Sequence, residues 1–318
     1  MVWLIRVLDL IKEGEIMTLV TNQEVLSPKA PKKSPSPCVI ARRKFVKNKL
    51  AMISLLFLLL VIILSLLAPY ITTKDIVRVD LTNISLPPSS EHWLGTDTNG
   101  RDVFTRMLYA GRSSLTVGLG CMIIIVLIGT TVGAISGYFG GRIEQLLMRF
   151  TDFVLMFPFL VFCIVLNTLL TGKISGLWTL IIVISILTWG SVARIVRSRI
   201  LAEKENEYIL AAQSIGCKST KIIVKHLLPN VASTIIVQAT LLMAVTIVAE
   251  SSLSFLGMGV PADTPSWGNM LFEARNSDVL KNKLWMWVPP ATAITLVILS
   301  INFIGEGLKD ALNPKSRR

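Results

Sequence analysis

The chain has 318 residues, 52% of them hydrophobic and only 16% charged, with a mean hydropathy of +0.64. A soluble domain of this length would need far more charge to cover its surface, which excludes that class. The net charge of +12 does not point to nucleic acid, because the basic residues sit beside apolar runs instead of forming one patch.

Residues 1–49 read as a cytoplasmic N-terminal tail, partly disordered. Trp3, Leu4, Val7, Leu8 and Ile11 fall on one helical face that could lie on a membrane surface. The alternative is that translation starts at Met17. Residues 27–37 are rich in Pro, Ser and Lys, a composition that stays disordered. The apolar run that follows is full length and lacks a small-residue cleavage site, so a cleavable signal peptide is not expected.

A hydrocarbon core about 30 Å thick takes about 20 apolar helical residues. Runs of that kind at 50–71, 115–138, 153–170, 177–195, 231–256 and 285–304 predict six transmembrane helices in an all-α domain over 50–306. The third is short and contains Pro158, so its ends are the least defined. Between the runs lie external loops at 72–114 and 257–284 and a cytoplasmic loop at 197–230, with a cytoplasmic tail at 307–318. This topology places 23 of the 32 lysines and arginines on the cytoplasmic side with both termini, as the positive-inside rule requires.

Gly129, Gly133 and Gly137 recur every fourth residue in the second run. In lipid such a stripe lets helix backbones approach closely, here for packing within the chain rather than for a dimer. Trp285 and Trp287 open the sixth run, where aromatic anchors are expected. Glu250 is the one acid well inside a run. Either Ser251, Ser252 or water satisfies it locally, or it belongs to a gate or translocation path. Cys38, Cys121, Cys163 and Cys217 form no CxxC pair, and none lies in a loop placed outside, which argues against disulfides and metal. His92 and His226 lie in different loops and read as structural or interfacial, so no metal site is expected.

The most patterned segment is 207–230, EYILAAQSIGCKSTKIIVKHLLPN. Tyr208, Ala211, Ala212 and Ile215 are expected on one face of a short helix, where the alanines would let a partner approach the backbone. Glu207 lies in its first turn. Gly216 suits a left-handed helix end, and Ser219 or Thr220 could cap a second helix carrying Ile222, Ile223 and Leu227 toward Pro229. A helix, a glycine turn and a second helix leading into a span would act as a rigid lever.

Ala211, Ala212, Gly216, Leu228 and Pro229 match, in spacing, the Glu-Ala-Ala, three residues, Gly, nine residues, Ile-x-Leu-Pro signature. The chain thereby resembles the permease subunits of bacterial ATP-binding-cassette importers. Leu210 replaces the signature Glu and His226 the Ile, and Glu207, one turn earlier, could substitute for that Glu. The segments 92–115, 250–259, 265–270 and 305–318 are similar to those of peptide and nickel importer permeases, most of all the second permease of peptide importers.

The resemblance implies a type I importer permease fold and half of a translocation pathway in the bacterial plasma membrane. It also implies a second homologous permease, two ATPase subunits carrying ATP and Mg, and an external substrate-binding protein as partners. The chain itself would bind no cofactor and catalyse nothing. Its other contacts would be membrane lipid, and no nucleic acid. Peptides are the expected substrate, with nickel or a metal chelate as the alternative. An ion-coupled secondary transporter is the alternative of another class, but it would be expected to carry buried charges near the bilayer midplane.

Asp97, Asn99, Gly100 and Asp102 lack the acid spacing and closing Glu of a calcium loop. Asp102 is expected instead to cap a short amphipathic helix bearing Val103, Phe104, Met107 and Leu108. Residues 215–220 lack the Gly-Lys pair of a phosphate loop, and no HExxH or GxSxG supports proteolysis.

Overall fold

A computed structural model describes residues 37–170, 173 and 176–313. The expectations for residues 1–36 and 314–318 lie outside this range. The helical bundle lies within the unit that begins at Ala41.

Helix α1 spans Pro37–Lys47. Asn48 then caps α2 (Lys49–Leu66), its side chain accepting from Ala51 N at 3.2 Å. The first run does not continue as one helix to residue 71: a separate turn at Ala68–Ile71 carries Pro69 near its start, a residue that cannot extend the preceding ladder. α2 leaves Leu50, Ile53, Leu56, Leu60 and Ile63 exposed, the outer face of a membrane helix. Its Ala51 packs close to Gly307.

The external loop expected over 72–114 ends at Asp102. The amphipathic helix and the second run are a single helix, α3 (Val103–Phe139), with Asp102 as its N-cap. No Pro lies between the two segments, and Gly111, Ser113 and Ser114 are all helical, so the backbone ladder is uninterrupted. Small residues let α3 meet neighbours at two heights. Gly111 faces Ser65 and Trp267, Gly118 faces Ile247, and Gly129, Gly133 and Gly137 face the next long helix, α6 over Gly176–Lys204.

The third run is where the structure departs most from a simple span. α4 (Gly141–Leu155) and α5 (Phe159–Leu170) meet at 86° across a three-residue break. Pro158 lacks the N–H to continue the α4 ladder and restricts Phe157 before it. Phe157 stacks on Phe162 at 4.3 Å and meets Phe153 edge-on at 5.1 Å, filling the bend. α4 turns its polar side to α6, where Glu144 pairs with Arg197 and Asp152 with Arg194.

α6 (Gly176–Lys204) extends eight residues into the loop expected from 197. Lys204 Nζ donates to Tyr138 O at 2.6 Å, tying its end to that of α3. α7 (Glu207–Ser214) follows, then α8, helical through Ser219–Phe255 with a π turn at Ile223–Leu227. After α9 (Trp267–Leu271) and α10 (Ser277–Asn282), α11 (Leu284–Leu312) carries the chain back. Its last turn and a half occupies what was expected to be tail from 307. Among the described residues, five helices are long and apolar enough to cross a membrane, and the bent α4–α5 pair makes six if it counts as one span.

Two apolar cores hold the bundle. One joins α3 and α6 through Ile125, Ile184, Val196 and Ile200 and runs down to Ile209, Ile222 and Leu227. The other joins α3, α8, α9 and α11 through Val103, Ile247, Trp267 and Val297.

Candidate functional site

The segment 204–230 is anchored from below by apolar side chains. Ile209, Ile222 and Leu227 are fully buried, each contributing about 1.5–3 kcal/mol relative to exposure. Ala212 joins them at 7% exposure. This corrects the expected shared face: Ala212 lies on the inner side of α7, because it follows Ile209 by three residues. Tyr208, Ala211 and Ile215 form the outer ridge, with Leu210 beside it, and Ile215 is 80% exposed. Glu207 is exposed in the first turn.

Gly216 follows with φ +77, and no atom lies within 4 Å of where a Cβ would stand. Glycine is needed there for backbone freedom alone, since L-residues avoid that region. Cys217 N donates to Ala212 O and Gly216 N to Gln213 O, closing the helix end. Neither Ser219 nor Thr220 caps the next helix. Lys218 occupies the cap position without a side-chain bond, and Ser219 is already helical.

The π turn has a local cause. Pro229 has no N–H and its ring crowds the carbonyl four residues back. The preceding turn widens, and Leu228 N bonds Ile223 O, five residues earlier. The helix therefore passes from loop to span without a break, and Leu228 and Pro229 form its first turn beyond the bulge. Asn230 donates to Tyr208 OH at 2.7 Å and to His226 O at 2.9 Å. Tyr208 OH in turn donates to Glu203. Burial, then the hydrogen bond to Glu203, pushes the Tyr208 phenol above its usual value of 10.0. One phenol thus links the end of α6, α7 and the part of α8 just past its π turn.

Glu250 lies at the opposite end of α8 and is fully buried. Ser254 donates to its Oε1 at 2.8 Å, and Ser114 of α3 to its Oε2 at 3.1 Å, with Ser251 at 3.4 Å. Ser252, considered from sequence, instead bonds Val248 O. Ser114 Oγ also accepts from Trp267 N at 3.2 Å, so the carboxyl group joins α3, α8 and α9. Residue spacing within α8 reveals Ser254, but Ser114 is 136 residues away and no sequence signal indicates it.

The glycine stripe packs α3 on α6. A Cβ at Gly129 would stand 2.7 Å from Val192 Cβ, at Gly133 2.6 Å from Ala193 O, and at Gly137 2.9 Å from Ile200 Cβ. Trp285 reaches inward: its Nε1 donates to Thr96 O at 3.3 Å over Gly95. It anchors the 72–102 loop instead of serving only as a membrane-surface residue.

That loop is folded on Asp102 and His92. His92 Nδ1 lies 2.8 Å from Asp102 Oδ1, and Lys74 Nζ lies 3.2 Å from the same oxygen. Asp97 Oδ1 accepts from Asn99 N and Arg101 N, which makes the motif a turn.

Residues 129–318 match the family described as binding-protein-dependent transport system inner membrane component. Residues 36–88 match the N-terminal TM domain of oligopeptide transport permease C. The chain is 42% identical over 306 residues to the dipeptide transport system permease protein DppC of Bacillus subtilis (strain 168), covering 96% of this chain and 94% of that one. It is 39% identical over 290 residues to the oligopeptide transport system permease protein OppC of the same strain, covering 91% and 93%. It is 37% identical over 270 residues to OppC of Lactococcus lactis subsp. lactis (strain IL1403), covering 84% and 91%.

Proposed function

This chain belongs to the inner membrane components of binding-protein-dependent transport systems, and from that premise we propose that the α7 ridge is where ATPase movement enters it. The protein is a multi-pass, non-catalytic permease subunit of a peptide ABC importer of the OppC/DppC type. Membership entails a complex with ATPases and a binding protein.

The observation that carries the proposal is the split character of α7. Its inner side is clamped by Ile209 and Ala212, while Ala211 and Ile215 present apolar surface to water. An apolar ridge on a helix fixed at both ends is what a partner groove needs. Glu207 and Tyr208 extend this ridge, and Gly216, Leu228 and Pro229 make the connection to α8 rigid. Push on α7 moves the foot of α8 through Tyr208 and Asn230, and α8 carries it across the bundle toward Glu250.

The finer assembly is one second homologous permease, two ATPases that hold ATP and Mg, and an external binding protein. This chain supplies half of the pathway and binds no cofactor. Both termini lie in the cytoplasm of a bacterial cell, supported by the lysine and arginine bias. Glu250 acts first as a structural hub for the outer gate region.

Mild-detergent copurification of the tagged chain from its native membrane, with mass spectrometry of the partners, tests the proposal. Recovery of a second permease and ATPases that are lost on Ile215→Asp supports it. Undiminished ATPase recovery with Ile215→Asp and Ala211→Glu overturns the docking assignment.

A further inference from the structure

At the end of the bundle opposite α7 the chain lines an open cavity of about 1320 Å³. It lies among the 98–101 turn, the ends of α5, α6 and α8, and the 257–276 segment. This exceeds the volume of an ordinary small-molecule pocket and leaves room for a short peptide. The wall of residues 257–262 is tied to the Glu250 hub, since Val260 N donates to Ser254 Oγ at 3.2 Å.

The charges on the lining are unbalanced. Among the described residues, four charged ones line it: Arg101, Arg106, Arg275 and Glu273. Arg106 is already engaged, with Nη1 donating to Ile76 O at 2.9 Å and Nε lying 3.5 Å from Asp97 Oδ2. Arg101 gives one bond to Ala262 O at 3.3 Å. Its Nε is buried and finds no acceptor among the described residues. Arg275 lies over the Phe272 ring at 4.9 Å and forms no ion pair among the described residues. Glu273 does not offset them fully: it accepts from Thr98 N at 3.1 Å, and burial, then Asp97, pushes its carboxyl above the usual 4.5.

Two guanidinium groups on the lining therefore have no ionic partner among the described residues, and an unpaired guanidinium in a recess favours a carboxylate. We propose that this cavity is a substrate subsite in which Arg101 and Arg275 receive the free α-carboxylate of an entering peptide. The proposal rests on the peptide-importer reading and adds the group recognised. The α-carboxylate is the one anionic group that linear peptides share whatever their side chains, so a subsite for it is compatible with sequence-tolerant import. A recess also favours a chain end over a protein surface as the occupant, because Arg106 and the Arg101 Nε are buried within it.

The test uses the complete transporter with its binding protein in proteoliposomes, supplied with tri-alanine or tri-alanine amide. Arg275→Gln alters an exposed side chain and Arg101→Gln a partly buried one. In each variant the acid-to-amide import ratio is expected to fall about tenfold, the scale of one charge-assisted hydrogen bond. Arg275→Lys, which keeps the charge, is expected to retain part of the preference. An unchanged ratio in both Gln variants overturns the subsite and leaves the peptide reading standing. Equal loss of acid and amide import, with weaker capture of the binding protein, also overturns it and makes the arginines a docking surface. Import of neither peptide by the wild-type complex overturns both readings.

Discussion

Tyr208 OH accepts a 2.7 Å hydrogen bond from Asn230 Nδ2, joining the exposed helix α7 to α8 just past its π turn. With the bond to Glu203 it makes one side chain the junction of three helices. Tyr208→Phe removes both bonds, each worth about 1 kcal/mol net. Import is expected to fall several-fold while the ATPases still copurify, as measured by uptake per assembled complex. Unchanged uptake would show that the junction transmits nothing.

Ala211 and Ala212 are neighbours in sequence with opposite surroundings. Ala211→Glu is expected to abolish ATPase capture with insertion intact. Ala212→Glu would force a carboxylate against Ile209 and Ile222, a cost of several kcal/mol, and lower the amount of folded protein. Comparing expression level with ATPase recovery separates the two outcomes.

The α3–α6 contact has no room for a methyl group. Gly133→Ala places Cβ against the Ala193 carbonyl and is expected to destabilise by about 1–3 kcal/mol. Leu127→Ala, on the exposed side of α3, is expected to change stability by less than about 0.5 kcal/mol. Thermal unfolding in detergent gives the comparison, and equal midpoints would contradict the packing.

At Glu250 the acceptor matters. Glu250→Gln keeps a carbonyl oxygen for one of the serine hydroxyls, whereas Glu250→Leu leaves Ser114 and Ser254 without an acceptor. A loss of about 1–3 kcal/mol per unsatisfied buried group is expected for Leu, and less for Gln. If the Leu variant melts with the wild type, the hub assignment fails.

Asp102 supplies a pH test of the 72–102 loop. Burial raises its carboxyl, but bonds from Thr105 N and Oγ1, His92 and the Lys74 charge outweigh it and hold it below the usual 3.8. The folded value lies below the unfolded one, so the stabilisation is complete above 3.8 and disappears as pH falls through the folded value. Limited proteolysis of the loop is expected to stay constant from pH 8 to 5 and to rise only below about 4. Asp102→Asn should make cleavage easier at neutral pH.

The amino-acid sequence by itself determined the membrane class, the places of the apolar runs and the helix, glycine turn and helix at 207–230. These follow from properties local in the chain: run length against bilayer thickness, glycine at a helix end, proline ahead of a span. Helix ends were less legible, because α3, α6 and α11 continue past their apolar segments wherever no residue breaks the ladder. Only the tertiary structure decided which alanine faces outward, because Ala211 and Ala212 differ only in what lies beneath α7. It also decided that the third run bends by 86°, that Ser114 reaches Glu250 across 136 residues, and that Arg101 and Arg275 line one recess. Those relationships depend on close packing of distant segments, where a few ångströms settle whether a polar group finds a partner.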